Sequence, residues 1–335
     1  MRIAVFSTKP YDSQFLDAAN LQYGHQISYF EPRLDQSTAI LAAQFPAVCV
    51  FVNDCLDADV LEALAASGTR IVALRCAGFN NVDLQAARRL GIAVVRVPAY
   101  SPHAVAEFTI GLMLALDRNI HRAWARVREN NFALEGLLGR NIHGRVAGVV
   151  GTGRIGALVA RSLRLGFGCE VLACDPVRDP ALVAAGVAYV ELPELLERAD
   201  IITLHCPLTP ATRYLINARV IAAAQPRLMI INTSRGALID TPALIAGLKS
   251  RKVGGVALDV YEQEADLFFE DMSNEIIADD VFQRLLTFPN VIVTGHQAFF
   301  TEDALTAIAA TTVGSIAEFE AGKTLTCRVG DGLDL

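Results

Sequence analysis

The sequence predicts an α/β protein of two domains, each built on a parallel sheet. Short Val/Ile-rich runs alternate with Ala/Leu-rich amphipathic stretches from end to end, the mark of strands connected by crossover helices. The length, 335 residues, gives room for two packed domains at about 100–200 residues each. The composition, 53% hydrophobic and 19% charged, is the reverse of what keeps a chain disordered.

In the first third the pattern predicts strands at Arg2–Thr8, Gln26–Phe30, Ala47–Asn53, Arg70–Arg75 and Ala93–Val97. Helices fall between them at Asp12–Asn20, Ser37–Gln44, Ala58–Ser67 and Asp83–Leu90, the last closed by Gly91 as a left-handed cap. Pro98-Ala99-Tyr100-Ser101-Pro102 breaks the alternation, and Ser101 before Pro102 is a good helix start. One helix is expected from Pro102 towards Asn130, long enough either to pack inside its own domain or to reach a second subunit. The second reading makes the protein a homo-oligomer, a dimer or tetramer, joined through 102–130. A second alternation follows, with strands at Arg145–Val150, Glu170–Asp175, Ile201–His205, Leu228–Asn232, Gly255–Val260 and Val291–Thr294. From Thr301 the tail reads as helix, ending in a few polar residues expected to be loose.

Charge and cysteine usage narrow the function. With 29 Lys+Arg against 36 Asp+Glu and a net charge of −7, and with no basic run, a surface that tracks nucleic-acid phosphates is disfavoured. The longest uncharged stretch, Gln36–Asn53, is interrupted by Gln44 and Pro46 and reads as helix, turn and strand, so no membrane span is expected. Met1-Arg2 runs directly into a strand without the apolar core of a signal peptide; the expected location is the cytoplasm. Seven scattered cysteines without a Cys-x-x-Cys pair read as reduced, mostly buried thiols, with no metal centre.

Gly151-Thr152-Gly153-Arg154-Ile155-Gly156 follows an apolar strand and opens the helix expected at Ala157–Leu165. In that context the motif reads as a dinucleotide-binding turn of the Rossmann type. Gly151 permits the tight turn, Gly153 lets a pyrophosphate approach the backbone, and Gly156 allows the helix to pack on the strand. Asp175 lies 19 residues after the last glycine, where a carboxylate accepts hydrogen bonds from a ribose diol. It repels a 2′-phosphate, which favours NAD over NADP.

Ligands of open parallel sheets bind beyond the carboxyl ends of the strands. That rule selects His205-Cys206-Pro207, Thr233-Ser234-Arg235-Gly236, Asp259 to Glu264 and Gly295-His296-Gln297. Reduction of a 2-keto acid needs a fork-shaped cation for the carboxylate, a proton donor for the developing alkoxide and a hydride source. Arg235 fits the first role and His296 the second. Glu264 fits as the anion that favours the charged imidazole. Each of the three also has an ordinary structural reading on its own; their meeting on one sheet edge is what points to catalysis.

These segments together, from Gly151–Gly156 through Asn232–Gly236 and Asp259–Glu264 to His296-Gln297-Ala298, resemble the D-isomer-specific 2-hydroxyacid dehydrogenases. Further phrases, Arg75–Asp83, Val97–Tyr100 and Asp266–Asp271, resemble the D-lactate dehydrogenase branch of that family, and the similarity spans nearly the whole chain. The resemblance implies a flavodoxin-like catalytic domain, residues 1–100 plus 299–335, with a Rossmann NAD domain, residues 101–298, inserted in it and the cleft between them. It implies NADH reducing pyruvate to D-lactate, with Arg235 as substrate anchor, His296 as acid/base and Glu264 as its partner. The backbone of Cys76, Ala77 and Gly78 would receive the substrate carboxylate, with Tyr100 and Phe299 lining the pocket. Cofactor contacts would come from Arg154, Ile155, Asp175, Cys206, Pro207, Thr212, Thr233 and Ser234 besides the glycines, with Asp259 supporting the cofactor site. Gln263-Glu264-Ala265 departs from the Glu-Pro of many relatives, and Thr212 stands where some lactate dehydrogenases carry Asn. Rival readings are a glyoxylate or hydroxypyruvate reductase, a non-catalytic NAD-sensing protein of the co-repressor kind, and a methyltransferase using the glycine loop.

Overall fold

A computed structural model of the chain describes residues 1–329. The polar C-terminal residues expected to be loose, 330–335, lie outside the described residues. The chain divides into two compact units, Met1–Ser101 together with the tail from Phe300, and Pro102–Phe299. The second unit is thus inserted in the chain of the first, and each has the parallel sheet expected of it.

The first unit runs β1 (Arg2–Val5), α1 (Pro10–Asn20), β2 (Gln26–Tyr29), β3 (Ala47–Val50), α2 (Ala58–Ala66), β4 (Ile71–Leu74), α3 (Leu84–Leu90) and β5 (Ala93–Val95). The sheet order β2-β1-β3-β4-β5, all parallel, is the flavodoxin-like order. Asp57 and Asp83 cap α2 and α3 by accepting from the first-turn amides, each cap being worth ~1 kcal/mol. Gly91 closes α3 at φ 71°, as its place after Leu90 predicts. The helix expected at Ser37–Gln44 is a single 3-10 turn, Ala39–Ala42. The Asp35 carboxylate draws in the amides of Ser37 and Thr38, and Gln44 turns left-handed at φ 67° before Pro46.

Beneath the carboxyl ends of this sheet lies a buried ion network. Arg75, 2% exposed, donates from Nε to Asp12 Oδ1 at 3.1 Å and to the carbonyls of Phe6 and Ser7. Its guanidinium lies 4.8 Å over the Phe51 ring. Asp54, 1% exposed, accepts from Ser7 Oγ and from the amides of Leu34 and Phe51. The network therefore ties the ends of β1, β3 and β4 together.

The second unit opens with two helices, α4 (Pro102–Asp117) and α5 (Ile120–Arg128), not the one continuous helix that the pattern predicts from Pro102 towards Asn130. Asp117 is buried and accepts from the Arg140 amide at 3.1 Å, and Asn119 takes φ 50°, a conformation Asn tolerates better than most residues. α4 packs inside the unit against α6 and the central strands, whereas α5 has no buried residue. Ile120, Trp124 and Val127 are all more than half exposed, and their i, i+4, i+7 spacing makes one apolar stripe.

The remaining elements are β6 (Val146–Val150), α6 (Arg154–Arg161), β7 (Glu170–Cys174), α7 (Pro180–Ala184), β8 (Ala188–Tyr189), α8 (Leu192–Arg198), β9 (Ile201–Leu204), α9 (Ala218–Ala223), β10 (Leu228–Asn232), α10 (Thr241–Lys249), β11 (Val253–Leu258), α11 (Asp280–Leu286) and β12 (Val291–Val293). Their parallel sheet runs β12-β11-β10-β9-β6-β7-β8. Its order reverses at β6, the Rossmann switch point beyond which ligands bind. Alternate residues of β10 enter two different cores: Leu228 and Ile230 pack with α8–α11, Met229 and Ile231 with α4, α6 and α7. A strand covered on both faces reads as an unbroken apolar run, which is how it appears in the sequence.

The tail returns to the first unit as α12 (Glu302–Glu320), capped by Thr301 and packed on α1 and β4. Its stripe of Leu305, Ile308, Val313 and Ile316 is buried, at roughly 1.5–3 kcal/mol per large aliphatic side chain.

Candidate functional site

The glycine loop joins β6 to α6. Gly151 sits at φ 90°, and a Cβ there would meet the backbone of His205 and Cys206 within 2.8 Å. A Cβ on Gly156 would run into the Gly151 carbonyl, so only glycine lets the first turn of α6 lie on the strand end. Gly153 is the residue before α6 and nothing stands within 4 Å of the Cβ position. The approach to the helix N-terminus is therefore open. Asp175, at the end of β7, accepts from Thr152 N at 2.7 Å and Val177 N at 2.8 Å, which fixes its carboxylate beside the loop. His205 packs under the same turn; burial pushes its imidazole down to about 4. Burial also pushes the Cys206 thiol up to about 11, so this sulfur stays protonated and the residue contributes structure rather than a thiolate.

The next strand end presents Arg235. Asn232, fully buried, accepts from Ser234 N and donates to the Arg235 carbonyl, bending the chain into the loop that carries the arginine. Ser234 Oγ donates to the Cys206 carbonyl at 2.9 Å, and Thr233 Oγ1 meets Thr109 Oγ1 of α4 at 2.8 Å. Gly236 has the Tyr261–Glu262 backbone where a Cβ would stand, so the Arg235 loop lies directly on the loop after β11. The guanidinium donates to the Ser234 carbonyl at 2.7 Å and has no carboxylate partner among the described residues.

Glu264 and His296 come together across 32 residues: Nδ1 lies 2.8 Å from Oε1. An ionised carboxylate only accepts, so Nδ1 carries the proton and Nε2 is left for chemistry. Glu264 is itself fixed, accepting from Tyr261 N at 2.8 Å through Oε2. His296 stands at φ 52°, a backbone state costing on the order of 1–3 kcal/mol, and Asp259 holds it there. The Asp259 carbonyl accepts from His296 N, and its carboxylate from Thr294 Oγ1, Gln297 N and Ala298 N at 2.5–2.9 Å. Burial pushes the Asp259 carboxyl up against the pull of these hydrogen bonds. The ring of His296 is flanked by Phe269 at 5.7 Å and Phe299 at 6.4 Å.

Glycine loop, Arg235 and the His296–Glu264 pair thus share the carboxyl edge of one sheet. Residues 110–298 match the family model described as D-isomer specific 2-hydroxyacid dehydrogenase, NAD binding domain. The chain belongs to this family. A 2-hydroxyacid dehydrogenase homolog of Schizosaccharomyces pombe is 56% identical over 95% of this chain and 96% of its own length. The D-lactate dehydrogenase of Escherichia coli is 51% identical over 97% of this chain and 98% of its own. A solved structure reported as the pyruvate reductase of Chlamydomonas reinhardtii superposes with a TM-score of 0.92 at 45% identity, over 97% of this chain and 98% of that one.

The residues of this dehydrogenase fit the dinucleotide its family model names. The N-terminus of α6 is where a pyrophosphate would find backbone donors, and Gly151, Gly153, Arg154, Ile155 and Gly156 are the residues that would surround it. Asp175 keeps lone pairs for a ribose diol. Pro207 and Thr212 belong to one turn, where Thr212 Oγ1 donates to the Pro207 carbonyl at 2.7 Å, beside Cys206 and the Thr233-Ser234 pair.

In the first unit of the dehydrogenase, Cys76, Ala77 and Gly78 follow β4. Cys76 Sγ reaches the Gly78 carbonyl at 3.2 Å, closing the loop on itself, and Arg96 Nη1 donates to the Ala77 carbonyl. Tyr100 lies at the last turn before the second unit and is half-buried. Among the cysteines, Cys49, Cys76, Cys169 and Cys206 are buried and Cys55 is exposed. Sequence reasoning passed over Phe269 beside His296 and the positioning role of Asn232. The first lay inside the Asp266–Asp271 phrase without a spacing that links it to His296; the second was present as an Asn at the end of an apolar strand.

Proposed function

We propose that this dehydrogenase catalyses the reversible reduction of pyruvate to D-lactate with NADH. The observation that carries this reading is an arginine with no carboxylate partner among the described residues, Arg235, on the same strand-end edge as a histidine whose Nδ1 is committed to Glu264. Arg235 binds the 2-keto acid through its carboxylate and carbonyl oxygens in the bidentate manner that guanidinium favours. Bound NADH supplies the hydride that goes to the carbonyl carbon. His296 delivers a proton from Nε2 to the carbonyl oxygen as it gains charge, and the neutral imidazole is reprotonated from solvent. Glu264 holds the ring's orientation and tautomer through Nδ1. Phe269 and Phe299, packed against His296, keep water from the reacting face. The names of the 51%-identical bacterial relative and of the Chlamydomonas structure favour pyruvate among small 2-keto acids.

The unpartnered stripe of α5 is read as a subunit interface, making the enzyme a homo-oligomer through this part of 102–130. No helix among the described residues is long and apolar enough to cross a membrane; the seven free thiols favour a reducing, cytoplasmic setting.

Ultraviolet monitoring of NADH oxidation with pyruvate, 2-ketobutyrate, hydroxypyruvate and glyoxylate tests the reading. Pyruvate is expected to give the highest kcat/KM. One methylene is worth only about 1–3 kcal/mol of discrimination, so slower turnover of 2-ketobutyrate is also expected. No oxidation with any of the four overturns the proposal.

A further inference from the structure

The opposite edge of the second sheet holds a cavity of about 730 Å³ lined by Arg227, Lys249, Arg251 and Arg284, with Phe288 and Asn290 among its walls. No acidic residue lines it. None of the four cations has a carboxylate within ion-pair distance among the described residues, whereas Arg140, Arg145, Arg198 and Arg213 of the same unit are each paired with one. In a chain of net charge −7 this is a local reversal of sign.

The four charges come from separate elements: Arg227 before β10, Lys249 at the end of α10, Arg251 before β11 and Arg284 on α11. Arg284 is oriented by its guanidinium lying 4.9 Å over the Phe288 ring and by a hydrogen bond to Thr287 Oγ1. Arg227 and Arg251 both adopt left-handed backbone, φ 63° and 60°, a conformation unfavourable for long side chains. Next to them, Arg140 Nη2 donates to the Arg227 carbonyl. Burial, and after it the charge of Arg145, push that guanidinium below its ordinary value against the pull of Asp117 and Asp200, with Arg227 adding to the lowering. Positive charge is in excess here, and like charges around a concavity repel until an anion enters it.

We propose that this cavity is a second anion site, for a small multivalent anion bearing carboxylate or phosphate groups. Guanidinium forks pair bidentately with both chemistries, and the volume is that of a metabolite pocket rather than of a macromolecular groove. The site is separate from the one assigned to substrate. β10 and β11, of five and six residues, begin beside it and lead to the loops of Arg235 and Asp259, and strands of that length span roughly 16–20 Å.

Calorimetric titration of the NADH-loaded enzyme with tricarballylate and, separately, with inorganic pyrophosphate tests the proposal. The expected result is saturable binding of at least one probe, the tighter of the two naming the ligand as polycarboxylate or phosphate ester. The double variant Arg251→Glu/Arg284→Glu should bind that probe at least tenfold more weakly while still binding NADH, and Arg251→Gln should weaken it in the same direction. Arg235→Lys, which alters the substrate anchor, should leave this binding unchanged. The proposal is overturned by no saturable binding of either probe. Equal binding by the double variant, or loss of binding in Arg235→Lys alone, overturns it as well.

Discussion

Glu264 divides its carboxylate between two partners: Oε1 lies 2.8 Å from Nδ1 of His296, and Oε2 accepts the Tyr261 amide at 2.8 Å. One oxygen fixes the acid in its loop, and the other fixes the imidazole. Glu264→Gln keeps an acceptor for the ring but replaces the carboxylate that pairs with Nδ1 by a neutral amide. General acid–base assistance is typically worth 10²–10⁴-fold, so kcat is expected to fall about 10–100-fold with NADH affinity unchanged. Stopped-flow turnover and fluorescence titration of NADH check both halves; a loss of NADH binding equal to the loss of kcat would assign Glu264 to the cofactor site instead.

The buried pair Arg75–Asp12 predicts a stability effect in the first unit. Asp12→Asn leaves the Arg75 guanidinium, 2% exposed, without its hydrogen-bonded anion. Removing one partner of a buried pair typically costs about 3–5 kcal/mol. Urea denaturation should show the loss, and a change below about 1 kcal/mol would mean that Asp54 and the carbonyls of Phe6 and Ser7 suffice to hold the charge.

His205 makes stability depend on pH. Burial lowers its folded-state value from 6.5 to about 4, so the unfolded chain binds more protons between those limits. The contribution is complete above pH 6.5 and is lost as the pH falls towards 4. In His205→Asn this part of the acid limb should flatten. Denaturation midpoints measured at about pH 4.5 and 7 decide it: an unchanged difference between them would place the acid sensitivity elsewhere.

Trp124, 63% exposed and in line with Ile120 and Val127, predicts the assembly. Trp124→Asp should shift sedimentation velocity from an oligomer to a monomer. A variant that sediments like the parent would move the subunit interface off α5.

Much of this could be read in the chain because local pattern and tertiary setting agree. β11 and all of β10 but its last residue, Asn232, are apolar since both faces are covered, and Asp83 and Gly91 mark the ends of α3 where they should. The break at Asn119 was hidden because the apolar phase of Leu116 carries on through Ile120 and Trp124. The Ser37–Gln44 segment had helical composition, but Asp35 and Gln44 spend it on turns. At the site, Arg235, Glu264 and His296 followed from the strand-end rule and the family resemblance. That Asp259 binds the amides of Gln297 and Ala298 is a contact across some 40 positions that no spacing encodes. The cationic cavity was equally invisible, since each of its segments brings only one or two charges.

Reduction of a 2-keto acid at this strand-end edge, with hydride from NADH, leaves a chiral product. Incubation of the enzyme with pyruvate and NADH, followed by chiral separation of the product, tests it most directly. One D-lactate is expected per NADH oxidised; L-lactate, or NADH left unoxidised in the presence of pyruvate, would rule this chemistry out.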